Sequence, residues 1–226
     1  MEVKLTKKPK QATLIEGFPG FGLIGTIVTE HLMGNLKCEK IGEFMYDELP
    51  ATIAIHKGKI IHPMSIYYNE KYNVIILHAI LDIKGKEWMV ADAVKQIVDE
   101  LDVKEVISIE GVASQGSEDI YCFNSKDLEK QGAKPIEESV IMGVTAAFLI
   151  RNLPVKCLFA ETHSGMPDSS AAAKILEHLD KYIGFKLDTE PLYEQAKVFE
   201  NKLSDIMQST KKTESEAEKK QMSYLG

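Results

Sequence analysis

Residues 16–25 read Glu-Gly-Phe-Pro-Gly-Phe-Gly-Leu-Ile-Gly, "EGFPGFGLIG". Within them Gly20, Gly22 and Gly25 fall in a G-x-G-x-x-G pattern. The apolar run Ala12–Ile15 stands before the stretch, and Leu23, Ile24, Ile27, Val28 and Leu32 follow at helical spacing, so a strand, a glycine turn and a buried helix are predicted. Two readings compete for the glycines. Backbone amides at a helix N-terminus can cradle phosphate, with an acid about 20 residues on for a ribose, and Glu43 stands near that place. Close helix–strand packing asks for the same small residues with no ligand at all. Pro19 stiffens the entry and Phe21 puts bulk between two glycines, which favours packing.

Outward from this turn, apolar strands alternate with helical segments. Strands are expected at Lys40–Phe44, in several short runs over residues 52–83, and at Val106–Ile109, Ser117–Ser125 and Val155–Ala160. Helices are expected at Lys86–Leu101, Lys126–Gln131, Ile141–Asn152 and Ser169–Ile183, the last started by Asp168 or Ser169. Trp88 and Met89 open the first of these, and their spacing assigns them to its core face. Such alternation predicts an α/β sheet with helices on both faces. Past Gly184 the texture changes. An amphipathic helix is expected within residues 188–208, then a polar tether, "STKKTESEAEKK", and an apolar end, Met222-Ser223-Tyr224-Leu225-Gly226, so that residues 209–226 read as a flexible tail behind a core of residues 1–187.

Composition narrows the function classes. With 44% hydrophobic residues the chain can build a sizeable core, and its net charge of −7 argues against general nucleic-acid binding. Three isolated cysteines fit a reducing compartment, and the polar start "MEVKLTKKPKQ" lacks the apolar centre of a secretion signal, so a cytoplasmic protein is expected. No segment has the length of a membrane span. His31, His56, His62, His78 and His178 show no compact ligand spacing, so no metal and no cofactor are expected. Glu16, Glu110 and Glu161 fall at strand ends, where open α/β sheets place ligands, and Glu161 with His163 could exchange protons. The structural reading has Glu161 and Thr162 bonding loop amides and Asp168 capping a helix. Cys157 reads as a small core residue.

The phrase Glu16–Gly25 resembles the opening signature of the PAC2 family of proteasome assembly chaperones. A distant second phrase, Ala160-Glu161-Thr162-His163-Ser164-Gly165-Met166-Pro167-Asp168, is similar to the segment that enters the last core helix of that family. The matching residues are Gly17, Pro19, Gly20, Gly22 and Gly25 in the first motif and Glu161, Thr162, Gly165 and Asp168 in the second. The resemblance implies a three-layer α/β/α core of nucleoside-phosphorylase-like shape and a non-enzymatic role in assembling the 20S proteasome α-ring. It also implies proteasome α-subunits as partners and self-association into a homo-oligomer of the archaeal type. Some members of the family dock through a terminal hydrophobic-Tyr-X sequence. Here Met222, Tyr224, Leu225 and Gly226 would supply the anchor, although Tyr224 is third from the end and Ser223 precedes it. The alternative is an enzyme or binder of a nucleotide or nucleoside that uses the glycine turn and the strand-end carboxylates.

Overall fold

The computed structural model describes residues 1–46, 53–56, 58–113, 119–162 and 165–187, together with positions 194, 198 and 205. Its centre is four parallel strands, β7 (Val74–Ala79), β2 (Thr13–Gly17), β8 (Glu105–Ala113) and β11 (Val155–Thr162), side by side in that order. Beyond β7 lie β6 (Met64–Asn69), β3 (Glu39–Met45) and β1 (Glu2–Leu5), each antiparallel to its neighbour. Beyond β11 lie β9 (Ile120–Phe123) and β10 (Lys134–Pro135), completing a nine-stranded sheet. A separate hairpin pairs β4 (Ala54–His56) with β5 (Lys59–Ile61).

Period-two alternation divides the core into two layers. Leu14, Ile75, Leu77, Val106, Cys157 and Phe159 point to one face. There they meet α2 (Glu87–Leu101) and α4 (Gly143–Ile150). Ile15, Ile76, Ile107, Leu158 and Ala160 point to the other face. Here α1 (Ile24–Asn35) and α5 (Ser169–Ile183) cover them, with the short α3 (Lys126–Lys130) alongside. A sheet covered on both sides needs apolar residues at almost every position of its central strands, which these strands have. The fold is therefore α/β with helices on both faces, as expected.

Several boundaries differ from the sequence reading. Instead of one continuous helix through Leu23 and Leu32, a 3₁₀ turn at Phe21–Leu23 precedes α1, with Gly22 and Leu23 both at positive φ (69° and 52°). Strand β8 does not stop at Ile109 but runs on to Ala113, because β11 stays in parallel register beside it to that point. Trp88 is not in the core: it is 49% exposed and lies under the Arg151 guanidinium at 4.9 Å, while Arg151 is bound to Asp92. The expected C-terminal helix falls outside the described residues except at Glu194, Val198 and Asp205, which are helical. The tail residues Met222, Tyr224, Leu225 and Gly226, like His163 and Ser164, also lie outside them.

Candidate functional site

The glycine turn packs at the C-terminal ends of β2, β8 and β11. A Cβ on Gly25 would stand 2.8 Å from Gly17 Cα and 2.9 Å from the Ile109 carbonyl oxygen, so α1 crosses β2 with no room for a side chain. Gly22, in its left-handed conformation, rests on Thr162, and its carbonyl accepts a 3.0 Å bond from the Asp168 amide. The two motifs, nearly 140 residues apart in sequence on the order-of-magnitude scale of a whole domain, thus meet in space. Asp168 accepts from the Ala171 amide at 2.9 Å and caps α5, as expected. Glu161 accepts from the Asp119 amide at 3.2 Å, which also fits the structural reading. Thr162 does not: its hydroxyl is buried without a hydrogen-bond partner among the described residues. Gly165 faces the Phe21 ring, and Pro19 leads into the turn half-buried.

Three of the turn's amides are already occupied. Phe18 N–H donates to Glu16 Oε1 at 2.8 Å, Phe21 N–H donates to the Glu110 carboxyl, and Leu23 N–H donates to the Gly20 carbonyl at 3.1 Å. A phosphate at the Phe18 and Phe21 amides would have to displace two carboxyl groups. Glu43 is no ribose ligand either: β3 is separated from β2 by β6 and β7, and Glu43 pairs with Lys40 at 2.6 Å. The geometry therefore argues for the packing role of the glycines.

Beneath the turn lies a chain of polar side chains on the α2/α4 face. Ser108 Oγ donates to Glu16 Oε2 at 2.6 Å, Ser108 Oγ meets Thr145 Oγ1 at 2.8 Å, and Thr145 Oγ1 meets Glu110 Oε2 at 3.2 Å. Glu16 is 2% exposed, and burial pushes its carboxyl up to about 7 against the stabilising bonds from Ser108 and Phe18. Glu110 is partly exposed. Burial first, and the neighbouring Glu16 second, push it up to about 8. Sequence reasoning named both acids and missed Ser108 and Thr145. The signal for Ser108 was available, since it lies two residues before Glu110 on one strand face in the apolar run "VISIE".

Around this end of the sheet stand apolar side chains that the core does not use. Phe21 is 39% exposed, Met142 (just before α4) 76% and Met166 60%. Cys157 is buried, with its thiol pushed up to about 12 by burial, and serves as a core residue. Among the described residues no three His, Cys, Asp or Glu side chains converge to hold a metal ion.

Comparison with known proteins decides the family, because the PAC2 family model matches residues 14–207. The chain belongs to the PAC2 family. Its fold superposes on the crystal structure of Pyrococcus furiosus PbaA, described as an archaeal homolog of proteasome-assembly chaperone. The TM-score is 0.83 at 26% identity, covering 94% of this chain and 100% of that one. Pyrococcus furiosus PbaB, described as an archaeal proteasome activator, has the same fold at TM-score 0.72 and 22% identity, covering 91% of this chain and 98% of PbaB. The uncharacterized protein MJ0106 of Methanocaldococcus jannaschii is 27% identical over 221 residues, 94% of this chain and 92% of that protein.

Proposed function

We propose that this PAC2 protein is a non-enzymatic, proteasome-assembly chaperone-like factor of the cytoplasm that self-associates and binds α-subunits of the 20S proteasome. The likeness to PbaA over nearly the whole of both chains carries the reading. The exposed apolar residues Phe21, Met142 and Met166 at one end of the sheet fit it, because partner surfaces are where such side chains collect. In this reading Met222, Tyr224, Leu225 and Gly226 form a docking anchor. A free carboxylate and an aromatic ring are the features a cationic pocket between subunits would capture. No catalytic residue is needed, and the buried acids are engaged in bonds within the fold.

Native mass measurement of the protein alone, and mixed with an archaeal α-subunit, tests this. A homo-oligomer that forms a complex with the α-subunit is expected, and deletion of residues 222–226 weakens the complex while leaving the oligomer intact. A monomer that forms no complex overturns the reading.

A further inference from the structure

The chain Glu16–Ser108–Thr145–Glu110 contains three oxygen–oxygen contacts, of 2.6, 2.8 and 3.2 Å. Each needs one hydrogen. The two hydroxyls supply two. If Ser108 donates to Glu16 and Thr145 donates to Glu110, the 2.8 Å contact between the hydroxyls has lone pairs on both sides and no hydrogen. One further proton on either carboxyl completes the chain. With the proton on Glu16, donation runs Glu16 to Ser108 to Thr145 to Glu110. With it on Glu110, every bond reverses.

We propose that these four side chains form a one-proton latch that ties the glycine turn to the first turn of α4. The turn is held at one end, by Phe18 N–H on Glu16 and Phe21 N–H on Glu110, and α4 is held through Thr145. Glu110 also lies against the start of α4, since a Cβ on Gly143 would be 3.9 Å from its Oε2. Release of the proton to solvent, through the partly exposed Glu110, leaves two carboxylates and only two hydroxyl hydrogens. The contact between Ser108 and Thr145 is then lost, and Phe21 and Met142 lose their fixed relation. The latch thereby couples proton concentration to the geometry of the apolar residues at this end of the sheet. That holds whether or not those residues meet a proteasome subunit.

Among the described residues, few other groups can compensate. On β11 the facing titratable group is the Cys157 thiol, which burial keeps protonated, and Glu161 beyond it is bound to the Asp119 amide. On β7 the residue beside Glu16 is Leu77. Helix α4 carries no charged residue from Gly143 to Ile150, and Arg151 after it is paired with Asp92 of α2. The buried face of α2 is Val90, Ala91, Val94, Ile97 and their apolar neighbours.

Infrared spectroscopy of the intact wild-type chain at neutral pH reads the proton directly. A protonated-carboxyl band is expected, lost in Glu16→Gln and in Glu110→Gln. Each amide supplies the missing donor, so each single variant keeps the chain complete with the other carboxyl ionised. The wild type takes up one proton on folding, which raises its unfolding constant about tenfold per pH unit between the carboxyl's unfolded and folded titration ranges. That slope flattens in either single variant. The double variant Glu16→Gln/Glu110→Gln has four hydrogens for three contacts and unfolds more easily than either single one. Absence of the acid band in the wild type overturns the latch, independently of whether any variant folds. So does an unchanged pH slope in a folded single variant, or a double variant no weaker than the singles.

Discussion

Strands β2 and β7 place two buried titratable groups one register step apart and on opposite faces of the sheet: Glu16 lies beside Leu77, and His78 beside Gly17. Glu16 looks toward α4 through a chain of hydroxyls whose far end, Glu110, is partly open. His78 looks toward α1 and is enclosed. Its Nδ1 meets Thr29 Oγ1 at 2.9 Å, and its Nε2 stands 3.4 Å from Glu30 Oε2. Burial favours the neutral form of both, and so moves protons in opposite directions. Folding makes the Glu16 cluster take up a proton, whereas it keeps His78 from binding one, since burial pushes the imidazole down to about 3. The same desolvation gives one face a dependence on alkali and the other a dependence on acid.

The largest expected effect is at the helix crossing on the His78 face. Gly25→Ala should cost about 4 kcal/mol or more in urea unfolding, because its Cβ would strike backbone on both β2 and β8. Gly20→Ala, on the opposite side, meets the Glu110 carboxyl first; it displaces that side chain from its bonds rather than striking backbone, and should cost less. Equal costs would break the contrast between a rigid crossing and an adjustable turn.

Next come the two mid-network hydroxyls. Thr29→Val and Thr145→Val should each cost about 2 kcal/mol by leaving buried polar partners unpaired. Only the Thr145 cost should vary between pH 7 and 9, as followed by thermal melts.

The wild-type pH profile is a third test. The Glu16–Glu110 pair holds its shared proton well above the 4.5 of a free carboxyl, so the stability that proton contributes is full below pH 4.5 and is lost as pH rises toward about 8. His78 and the half-buried His31 are lowered from 6.5 to about 3 and 4, so their contribution is present above 6.5 and is lost as pH falls. The two trends oppose each other between pH 4.5 and 6.5. Stability should peak there and decline on either side, by about 1.4 kcal/mol per pH unit for each proton. A maximum above pH 8 would contradict the assignment.

Smaller effects calibrate these. Asp168→Ala should cost about 1 kcal/mol by uncapping α5. Gly34→Ala, in α1 with nothing within 4 Å of the added Cβ, should gain about 0.5 kcal/mol. Denaturant midpoints measure both.

Much of the fold was legible because the central strands are short, nearly continuous apolar runs and the buried faces of α2 and α5 carry strong helical periodicity. The Asp168 cap was equally plain. What escaped was decided by neighbours rather than by local pattern. The extension of β8 past Ile109 depends on β11. Strand β1, "EVKL", has no apolar run and forms by pairing with β3. The kink at Gly22 and Leu23 follows from the need to set Gly25 against Gly17, which no helical spacing reveals. At the candidate site the acids stood out by type and by place at strand ends. Thr145 did not, since a threonine among small helical residues signals only close packing until its partner across the face is known.

The two rims of the sheet are poor edges for pairing with a further strand. At one rim β10 is two residues long and ends on Pro135, which has no N–H to offer a further strand. At the other, β1 is four residues long and alternates exposed Glu2 and Lys4 with its apolar positions. Neither margin is a template for lateral growth into a continuous inter-subunit sheet. If copies of this chain associate as proposed, their contacts fall on the helical layers and the loop end, where they are made by side chains.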